Sequence, residues 1–437
     1  MSKLGESVQQ ELIMGKCEDV YYANPETTKK ECIRTKQTTR YSQAFNTLTS
    51  GTNTFLIPPN FGIQHVCLGL QLPASGTATG CGLAPGWGYA LIKQVSYRIG
   101  GSTQFFVSGQ QLLQHAMKRM TNTTAINDLL TIGGQTLSAT TLANTGNWAY
   151  VFLDLPWSKA TSEGMPVPLP SDILGSQVQV TVELYSLSQI VAVVNGNTFP
   201  TGFASGLASG FFQVQQLLME SRDDSLASRE NMATHQYVMP IEFVQQEQQI
   251  TNLSLTAGTT STVTATGFRA GSVKSIEMWL TRAADSTAVT SSTQVAASPL
   301  LWYAPQYVQV LYAGDVYSRF DAGISQLWNL INAKHSPYFA YTYLTSTSGS
   351  STVGASTSYN SSWVTCPFAA TFEAADTSSF MLVEGLNVTN GIVNIQFQPP
   401  PTLTGAVSGT QTDYTLHLSY IYNASAVFSQ SSCELVF

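Results

Sequence analysis

The chain has 437 residues, a formal net charge of −7 at pH 7 and only 10% charged side chains, against about 25% in a typical soluble domain. Its length predicts two or three domains, each able to bury a core of its own. The acidic balance argues against a general nucleic-acid binder, and no apolar run is long enough to predict a membrane span. A polar surface with few charges is expected.

Residues 1–40 are predicted to form an N-terminal arm, because Gly5, Gly15 and Asn24 followed by Pro25 interrupt any periodic pattern. An arm of this kind needs a partner to order it. The segment has a net charge of +1, whereas the rest of the chain has −8. Its basic side chains are candidate contacts for an acidic membrane leaflet, a genome or a minor protein, with a solvated turn as the alternative: Lys29, Lys30, Arg34, Lys36 and Arg40.

The first half after the arm is predicted to consist of short strands separated by long loops rich in Gly, Thr, Asn and Ser. The predicted strands are Thr54–Ile57, His65–Leu72, Leu91–Ile99, Tyr150–Leu155, Gln177–Tyr185 and Phe211–Leu218. The predicted loops are Pro73–Gly88, Asn122–Asn147 and Asn195–Gly210.

The second half shows the same kind of pattern. Its predicted strands are Val238–Ile241, Val273–Leu280, Tyr307–Tyr312, Tyr338–Leu344 and Tyr414–Tyr422, and its loops include Ser346–Ser362 and Pro399–Thr412. Many short strands at this spacing, with one small helix in each half, predict an antiparallel β-sandwich in each half.

Three segments recur in the same order at a separation of roughly 213 to 215 residues, which is the size of a whole domain. A strand that ends in a glycine turn recurs, as does the short amphipathic helix after it. A strand with period-two alternation also recurs. The matched segments are Gln94–Gly101 with Gln309–Asp315, Ser108–Met117 with Asp321–Ile331, and Val178–Leu184 with Val393–Phe397. Chance similarity between β-rich sequences is the alternative.

The densest charged run, Glu220–Glu230, lies between the two repeats and is predicted to be a solvated linker. The predicted domain limits are therefore an arm at 1–40, a first sandwich at 41–222, a linker at 223–237 and a second sandwich at 238–437. The predicted fold class is mainly β, with two tandem antiparallel jelly-roll β-sandwiches that each carry a short helix.

Two tandem sandwiches of this size resemble the double jelly-roll major capsid proteins of icosahedral double-stranded DNA viruses. At the N-terminus, Asn24-Pro25-Glu26-Thr27-Thr28 is similar to the Asn-Pro-x-x-Thr entry segment of the large eukaryotic DNA viruses and their virophage-like relatives. Ile99-Gly100-Gly101 before the helix, and the proline-leucine stretches Leu153–Pro156 and Pro166–Pro170, resemble further elements of that family.

The resemblance implies a structural protein that is not an enzyme. It implies a homotrimer whose six similar sandwiches form a capsomer with a near-sixfold outline and tile an icosahedral shell. Implied partners are neighbouring capsomers, minor capsid or penton proteins and an internal membrane, with no specific nucleic-acid sequence. Implied localisation is the virion, assembled in the host cell, since the start of the chain lacks the apolar core of a signal peptide.

No catalytic motif, cofactor-binding motif or metal-ligand spacing is recognisable, so no catalytic, cofactor or metal residues are predicted. The five histidines, His65, His115, His235, His335 and His417, lie far apart in the sequence, and packing or surface polarity is their expected role. The six cysteines contain no Cys-x-x-Cys pair, which predicts reduced, buried thiols.

The main alternative function is a glycan-binding adhesin or spike, in which aromatic residues such as Trp302-Tyr303 and Tyr338–Tyr341 meet sugar. Packing in the core or at subunit contacts is the favoured role for these rings. A polysaccharide-cleaving enzyme is a more distant alternative, and it would need paired carboxylates in a groove.

Overall fold

A computed structural model provides the structure of the chain. It describes twenty-one stretches of sequence, and all structural statements below concern these residues: 34–57, 62–74, 81–99, 103–118, 120, 123–135, 137, 146–153, 178–193, 199–220, 237–245, 247–256, 258–269, 271–282, 302–321, 338–345, 357–367, 385–388, 391–399, 411–428 and 433–436. Within these ranges, no helix has the length and apolar character needed to cross a bilayer.

The first half contains ten strands and three α-helices. The strands are β1 (Arg34–Ala44), β2 (Gly51–Ile57), β3 (Gly62–Gln71), β4 (Cys81–Gly82), β5 (Ile92–Ile99), β6 (Thr103–Val107), β7 (Trp148–Leu153), β8 (Val178–Leu184), β9 (Ala192–Val193) and β10 (Ser209–Glu220). The helices are α1 (Trp87–Leu91), α2 (Gly109–Lys118) and α3 (Thr123–Ile132), and two 3-10 turns cover Leu187–Gln189 and Thr201–Phe203.

These strands form two four-stranded antiparallel sheets that enclose one core. The orders are β1-β10-β3-β7 and β2-β8-β5-β6, and β4 pairs with β9 outside them. The two sheets pack face to face because each strand turns one apolar side toward the other sheet. In β8, every second residue is buried and the residues between them are half-buried; the buried ones are Val178, Val180, Val182 and Leu184. This unit, from β1 to β10, is called the first roll below.

The second half contains twelve strands. They are β11 (Tyr237–Val244), β12 (Gln248–Leu255), β13 (Ser261–Ala265), β14 (Ser272–Arg282), β15 (Tyr307–Tyr312), β16 (Asp315–Asp321), β17 (Tyr338–Thr345), β18 (Thr357–Pro367), β19 (Leu386–Asn387), β20 (Val393–Gln398), β21 (Gln411–Phe428) and β22 (Cys433–Val436). One sheet has the order β11-β21-β14-β18-β17, and the other has the order β13-β20-β15-β16. In the first of these sheets, β12 and β22 also pair with β21, and β19 also pairs with β14. This unit is the second roll.

The two rolls have the same strand order in both sheets. Strands β1, β10, β3 and β7 correspond to β11, β21, β14 and β18, and strands β2, β8, β5 and β6 correspond to β13, β20, β15 and β16. Eight strands in two facing sheets with these crossing connections form a jelly roll. The predicted fold class of two tandem jelly rolls is therefore confirmed.

The repeated sequence segments occupy matching positions in the two rolls. In β5 and β8, Val95 lies opposite Val182, and in β15 and β20, Val310 lies opposite Ile395. When the two rolls are aligned by the sequence repeat of about 215 residues, the pairing of β15 with β20 is shifted by two residues relative to the pairing of β5 with β8. Because side chains alternate with a period of two, this shift keeps every apolar residue on the core face.

Each core is built around stacked or buried aromatic rings. In the first roll, Phe55 packs between Phe45 and Phe212, with ring centroids 5.2 Å and 4.4 Å away. In the second roll, Trp302 and Tyr420 are fully buried. These rings supply much of the apolar area that each sandwich buries.

The structure differs from the sequence predictions at several elements. Strand β1 begins at Arg34, so Arg34 to Arg40 pair with β10 although they were predicted to belong to the arm. The predicted loop Asn122–Asn147 contains α3, which buries Ile126, Leu129 and Leu130. The predicted loop Ser346–Ser362 ends in β18, which begins at Thr357.

Other predictions lie wholly or partly outside the described residues. This group contains three predicted elements: the arm before Arg34, the linker, and the helix at Asp321–Ile331 beyond its first residue. The domain limits stay a prediction, with β10 ending at Glu220 and β11 beginning at Tyr237 on either side of the predicted linker. The first roll has three α-helices where one was expected.

Replacing Phe55 by alanine should lower the free energy of unfolding by about 3 to 5 kcal/mol, because it leaves a cavity between Phe45 and Phe212. Its neighbour Leu56 is 44% exposed on the opposite face of β2, so Leu56→Ala should change stability by less than about 0.5 kcal/mol. Denaturant unfolding of both variants measures the difference. Equal effects would contradict the assignment of the core face of β2.

Candidate functional site

The two rolls meet through α2 of the first roll and the outer face of the β14–β21 sheet of the second. Three apolar residues of α2 are buried in the hydrophobic core: Leu112, Leu113 and Met117. Polar residues on the helix contact the second roll, and this contact region is called the seam. It consists of Gln110, Gln111, His115, Glu277, Trp279, His417 and Ser419.

The start of α2 is held tightly against the first roll. A Cβ atom at Gly109 would lie 2.1 Å from the carbonyl oxygen of Tyr89 and 2.5 Å from that of Ile92, so only glycine allows this approach. The backbone N–H of Gln111 donates to Ser108 Oγ at 3.2 Å, and the N–H of Ser108 donates to Gln111 Oε1 at 2.9 Å. This reciprocal capping fixes the helix start and therefore the position of the seam residues.

Three polar contacts join α2 to β14 and β21. The amide of Gln111 donates from Nε2 to Ser419 Oγ at 2.7 Å, and the indole N–H of Trp279 donates to Gln110 Oε1 at 3.1 Å. His115 Nε2 lies 3.3 Å from Glu277 Oε2. Gln111, Glu277 and Ser419 are almost completely inaccessible to solvent, so losing any of these partners would leave a buried polar group unsatisfied.

A second histidine–carboxylate pair lies beside the first. His417 Nδ1 is 3.2 Å from Glu247 Oε1, its Nε2 is 2.7 Å from Thr281 Oγ1, and its ring stacks on Trp279 with centroids 5.3 Å apart. Burial alone would raise the pKa of Glu247, but hydrogen bonds and the charge of His417 outweigh it. The pKa of Glu247 is therefore below its ordinary value.

Glu247 also links the seam to the first roll. Ser108, which caps α2, contributes to the lowered pKa of Glu247. The pKa of Tyr185 in the first roll is raised, first by burial and then by the negative charge of Glu247. The ionisation of Glu247, in the second roll, therefore affects the pKa of a group in the first roll.

An apolar contact extends the seam beyond α2. Phe105 in β6 packs against Phe243 in β11, with ring centroids 5.7 Å apart. The guanidinium of Arg269 lies 4.9 Å from the centre of the Phe243 ring, and Phe243 also packs near Tyr422. Edge strand β6 of the first roll thus contacts β11 and β22 at the side of the second roll's sheet.

The seam is suited to joining two domains. Glu277 lies beside His115 and Glu247 lies beside His417, and the described part of the chain contains no cluster of three potential metal ligands. Burial raises the pKa of Cys67 and Cys81 to about 11 and of Cys366 to about 12, so these thiols stay protonated. The four cysteines in the described ranges are free thiols, as predicted.

The sequence-predicted arm residues are only partly described. Lys29 and Lys30 lie outside the described residues, whereas Arg34, Lys36 and Arg40 lie in β1, at the edge of the first roll's sheet. Register places Arg34 opposite Glu220 in β10. Their assignment as contacts for an inner partner stays a prediction.

The proposed aromatic sugar platform is only partly described. Trp302 is fully buried, and Tyr303 is partly buried with its backbone paired to Leu280. Neither ring forms an open platform, so this portion supports the packing role. The side chains of Tyr338–Tyr341 lie outside what the structure describes.

Sequence reasoning missed the seam residues, although two signals were present. Gln111 and His115 are four residues apart on one side of a helix whose other side is apolar, which marks a polar contact face. Lys274 and Glu277 lie in a strand that carries several apolar residues, and both are almost fully buried. Buried charges of this kind need partners from another element.

A double-mutant cycle should detect the His115–Glu277 contact. His115→Ala and Glu277→Gln should each lower the free energy of unfolding by about 3 kcal/mol, because each disrupts a buried pair. The double variant should recover about 1 to 3 kcal/mol of their sum. The same cycle on the exposed Lys93–Glu183 pair, with a 2.5 Å contact, should give a coupling near zero, and additivity at both pairs would contradict the seam.

Acid should weaken the seam through Glu247. Its folded pKa lies below its ordinary 4.5, so the ionised carboxylate stabilises the fold above that pH. This stability is lost as the pH falls through the folded pKa. Between about pH 5 and pH 3, Glu247→Gln should therefore lose less stability than the wild type. Unfolding curves across that range measure it, and parallel losses would contradict the role of Glu247.

No family model matches the sequence, and a search of curated proteins finds no match. Solved structures do share the fold. The chain is similar to the PBCV-1 virus capsid, with a TM-score of 0.60 and 12% identity over 92% of this chain and 98% of that one.

Two further structures have comparable similarity. A Sputnik virophage chain matches with a TM-score of 0.53 and 10% identity over 93% of this chain and 89% of that one. The Faustovirus major capsid protein matches with a TM-score of 0.50 and 10% identity over 97% of this chain and 98% of that one. At such identities the likeness is one of fold, and it extends across both rolls. The chain therefore has the double jelly-roll fold that these viral proteins share.

Proposed function

We propose that this protein is the structural major capsid protein of an icosahedral double-stranded DNA virus. Three copies form a capsomer with a near-sixfold outline, and capsomers tile the shell of the virion. The chain acts by assembly and is not an enzyme. Its further partners are neighbouring capsomers, minor capsid or penton proteins and an internal membrane.

The observation that carries this proposal is the presence of two rolls with the same strand order in one chain. Three such chains related by a threefold axis would provide six similar domains around a ring. One sequence could then make nearly equivalent contacts with six neighbours on a flat facet. The similar structures named as a virus capsid and a major capsid protein support the same function.

The seam supports the proposal because a tile needs a fixed angle between its two domains. Buried hydrogen bonds such as Gln111 to Ser419 have strict geometry, and breaking them exposes unsatisfied groups. The low charge content also suits a lattice, since few charged groups lose hydration when subunits meet.

The N-terminal arm is proposed to face the particle interior. Its basic residues Lys29, Lys30, Arg34, Lys36 and Arg40 would then contact an acidic membrane leaflet, the genome or a minor protein. Arg34, Lys36 and Arg40 lie in an edge strand of the first roll's sheet, from which the preceding chain could extend toward such a partner.

The purified protein should sediment as about three chains and resist dilution, because an obligate assembly buries a large apolar interface. Analytical ultracentrifugation over a hundredfold range of concentration measures this, and negative-stain images should show particles with a hexagonal outline. A stable monomer would contradict the proposal. Binding on a glycan array by a monomeric protein would instead favour the adhesin alternative.

A further inference from the structure

Three side chains of the second roll form a hydrogen-bonded chain that consists of a hydroxyl, an imidazole and a carboxylate. Thr281 Oγ1 lies 2.7 Å from Nε2 of His417, and Nδ1 of His417 lies 3.2 Å from Oε1 of Glu247. They come from separate elements: Thr281 is the penultimate residue of β14, His417 lies in β21, and Glu247 directly precedes β12. These three residues are called the relay below.

Glu247 determines which ring nitrogen of His417 carries the proton. Burial alone would raise the pKa of Glu247, but hydrogen bonds from His417 and neighbouring side chains hold it below its ordinary value, so the carboxylate is ionised at neutral pH. An ionised carboxylate only accepts hydrogen bonds, and Nδ1 of His417 is therefore the donor. In the neutral imidazole, Nε2 is then an acceptor, so the hydroxyl of Thr281 donates to it.

The histidine ring is held in this orientation from two sides. It stacks on the indole of Trp279, with an angle of 4° between the ring planes and centroids 5.3 Å apart. Gln249 donates a hydrogen bond to the same oxygen of Glu247 that faces the ring, which fixes the carboxylate as well. A base within roughly 2.6 to 3.2 Å of a hydroxyl, oriented by a third group, is the arrangement that activates serine and threonine as nucleophiles.

The hydroxyl of the relay is more accessible than the base behind it. Thr281 is half-buried near the end of β14, whereas only 5% of His417 is exposed. A small reagent can therefore approach the hydroxyl from solvent while the ring stays largely out of contact with water. When the ring accepts the hydroxyl proton, the carboxylate of Glu247 stabilises the imidazolium that forms.

We propose that Thr281 is a nucleophilic hydroxyl that takes the acyl group of activated esters and thioesters, with His417 as the general base and Glu247 as its positioning residue. The oxygen of Thr281 bonds to the acyl carbon, and the bond from that carbon to the leaving group breaks. The hydroxyl proton passes to Nε2 of His417 and then to the leaving group. The product is one threonine ester per chain, so the relay is a modification site and does not turn over.

Acetylation of the intact wild-type protein by p-nitrophenyl acetate tests the proposal. Peptide mapping by mass spectrometry follows the acetyl group at each threonine with time. Thr54 is the internal control, because it is exposed and its hydroxyl lies 3.4 Å from the hydroxyl of Thr181, which is not a base. Thr281 should react at least about a hundredfold faster than Thr54 although it is less exposed. Equal rates, or a faster reaction at Thr54, would overturn the inference.

His417→Gln tests the base, because glutamine can still accept a hydrogen bond from Thr281 but is not basic. In this variant Thr281 should react at least about a hundredfold more slowly than in the wild type, with the rate at Thr54 unchanged. Thr281→Ser, which keeps the hydroxyl, should retain the fast reaction. A fast reaction in His417→Gln would contradict the role of the base. Should that variant not fold, the ratio of the two rates in the wild type still decides.

Glu247→Gln tests the positioning role, because its amide can donate to Nδ1 and would move the ring proton of His417 to Nε2. Nitrogen NMR of isotope-labelled histidine should show this change of tautomer. The rate at Thr281 should fall at least about a hundredfold, while the rate at Thr54 stays the same. An unchanged rate at Thr281 would rule out the role of Glu247. Failure of this inference leaves the proposed capsomer intact, because the capsomer is tested by sedimentation.

Discussion

The structure depends on the burial of one sheet face of the second roll beneath a helix of the first. The outer residues of β14 and β21 include Glu277 and Ser419, which are withdrawn from water and meet polar partners on α2. A buried carboxylate without a partner is costly, so the outer face of β14 and β21 depends on the first roll for its polar partners.

This constraint explains how the two rolls are held against one another. The tight packing of Gly109 and the cap made by Ser108 fix the direction of α2, and the polar contacts fix its position on the partner sheet.

Much of the fold could be predicted because its signals are local. Period-two alternation at Val178–Leu184 and Val393–Phe397 marks half-buried strands wherever it occurs, and the ordered repeat predicts duplicated topology. Strands β6 and β16 were missed because each is a short hairpin partner whose order depends on its neighbour. Helix α3 was missed because its Asn- and Thr-rich surroundings resemble a loop, whereas Ile126, Leu129 and Leu130 pack into the core.

By itself the sequence determined the class of fold, the doubling of the domain and the apolar face of α2, since each depends on the spacing of neighbouring residues. Only the tertiary structure decided that the other face of α2 lies on β14 and β21. It also decided that His115 meets Glu277, 162 positions away. Pairings over such distances depend on how the sheets are ordered and packed, and no local pattern of residues contains that information.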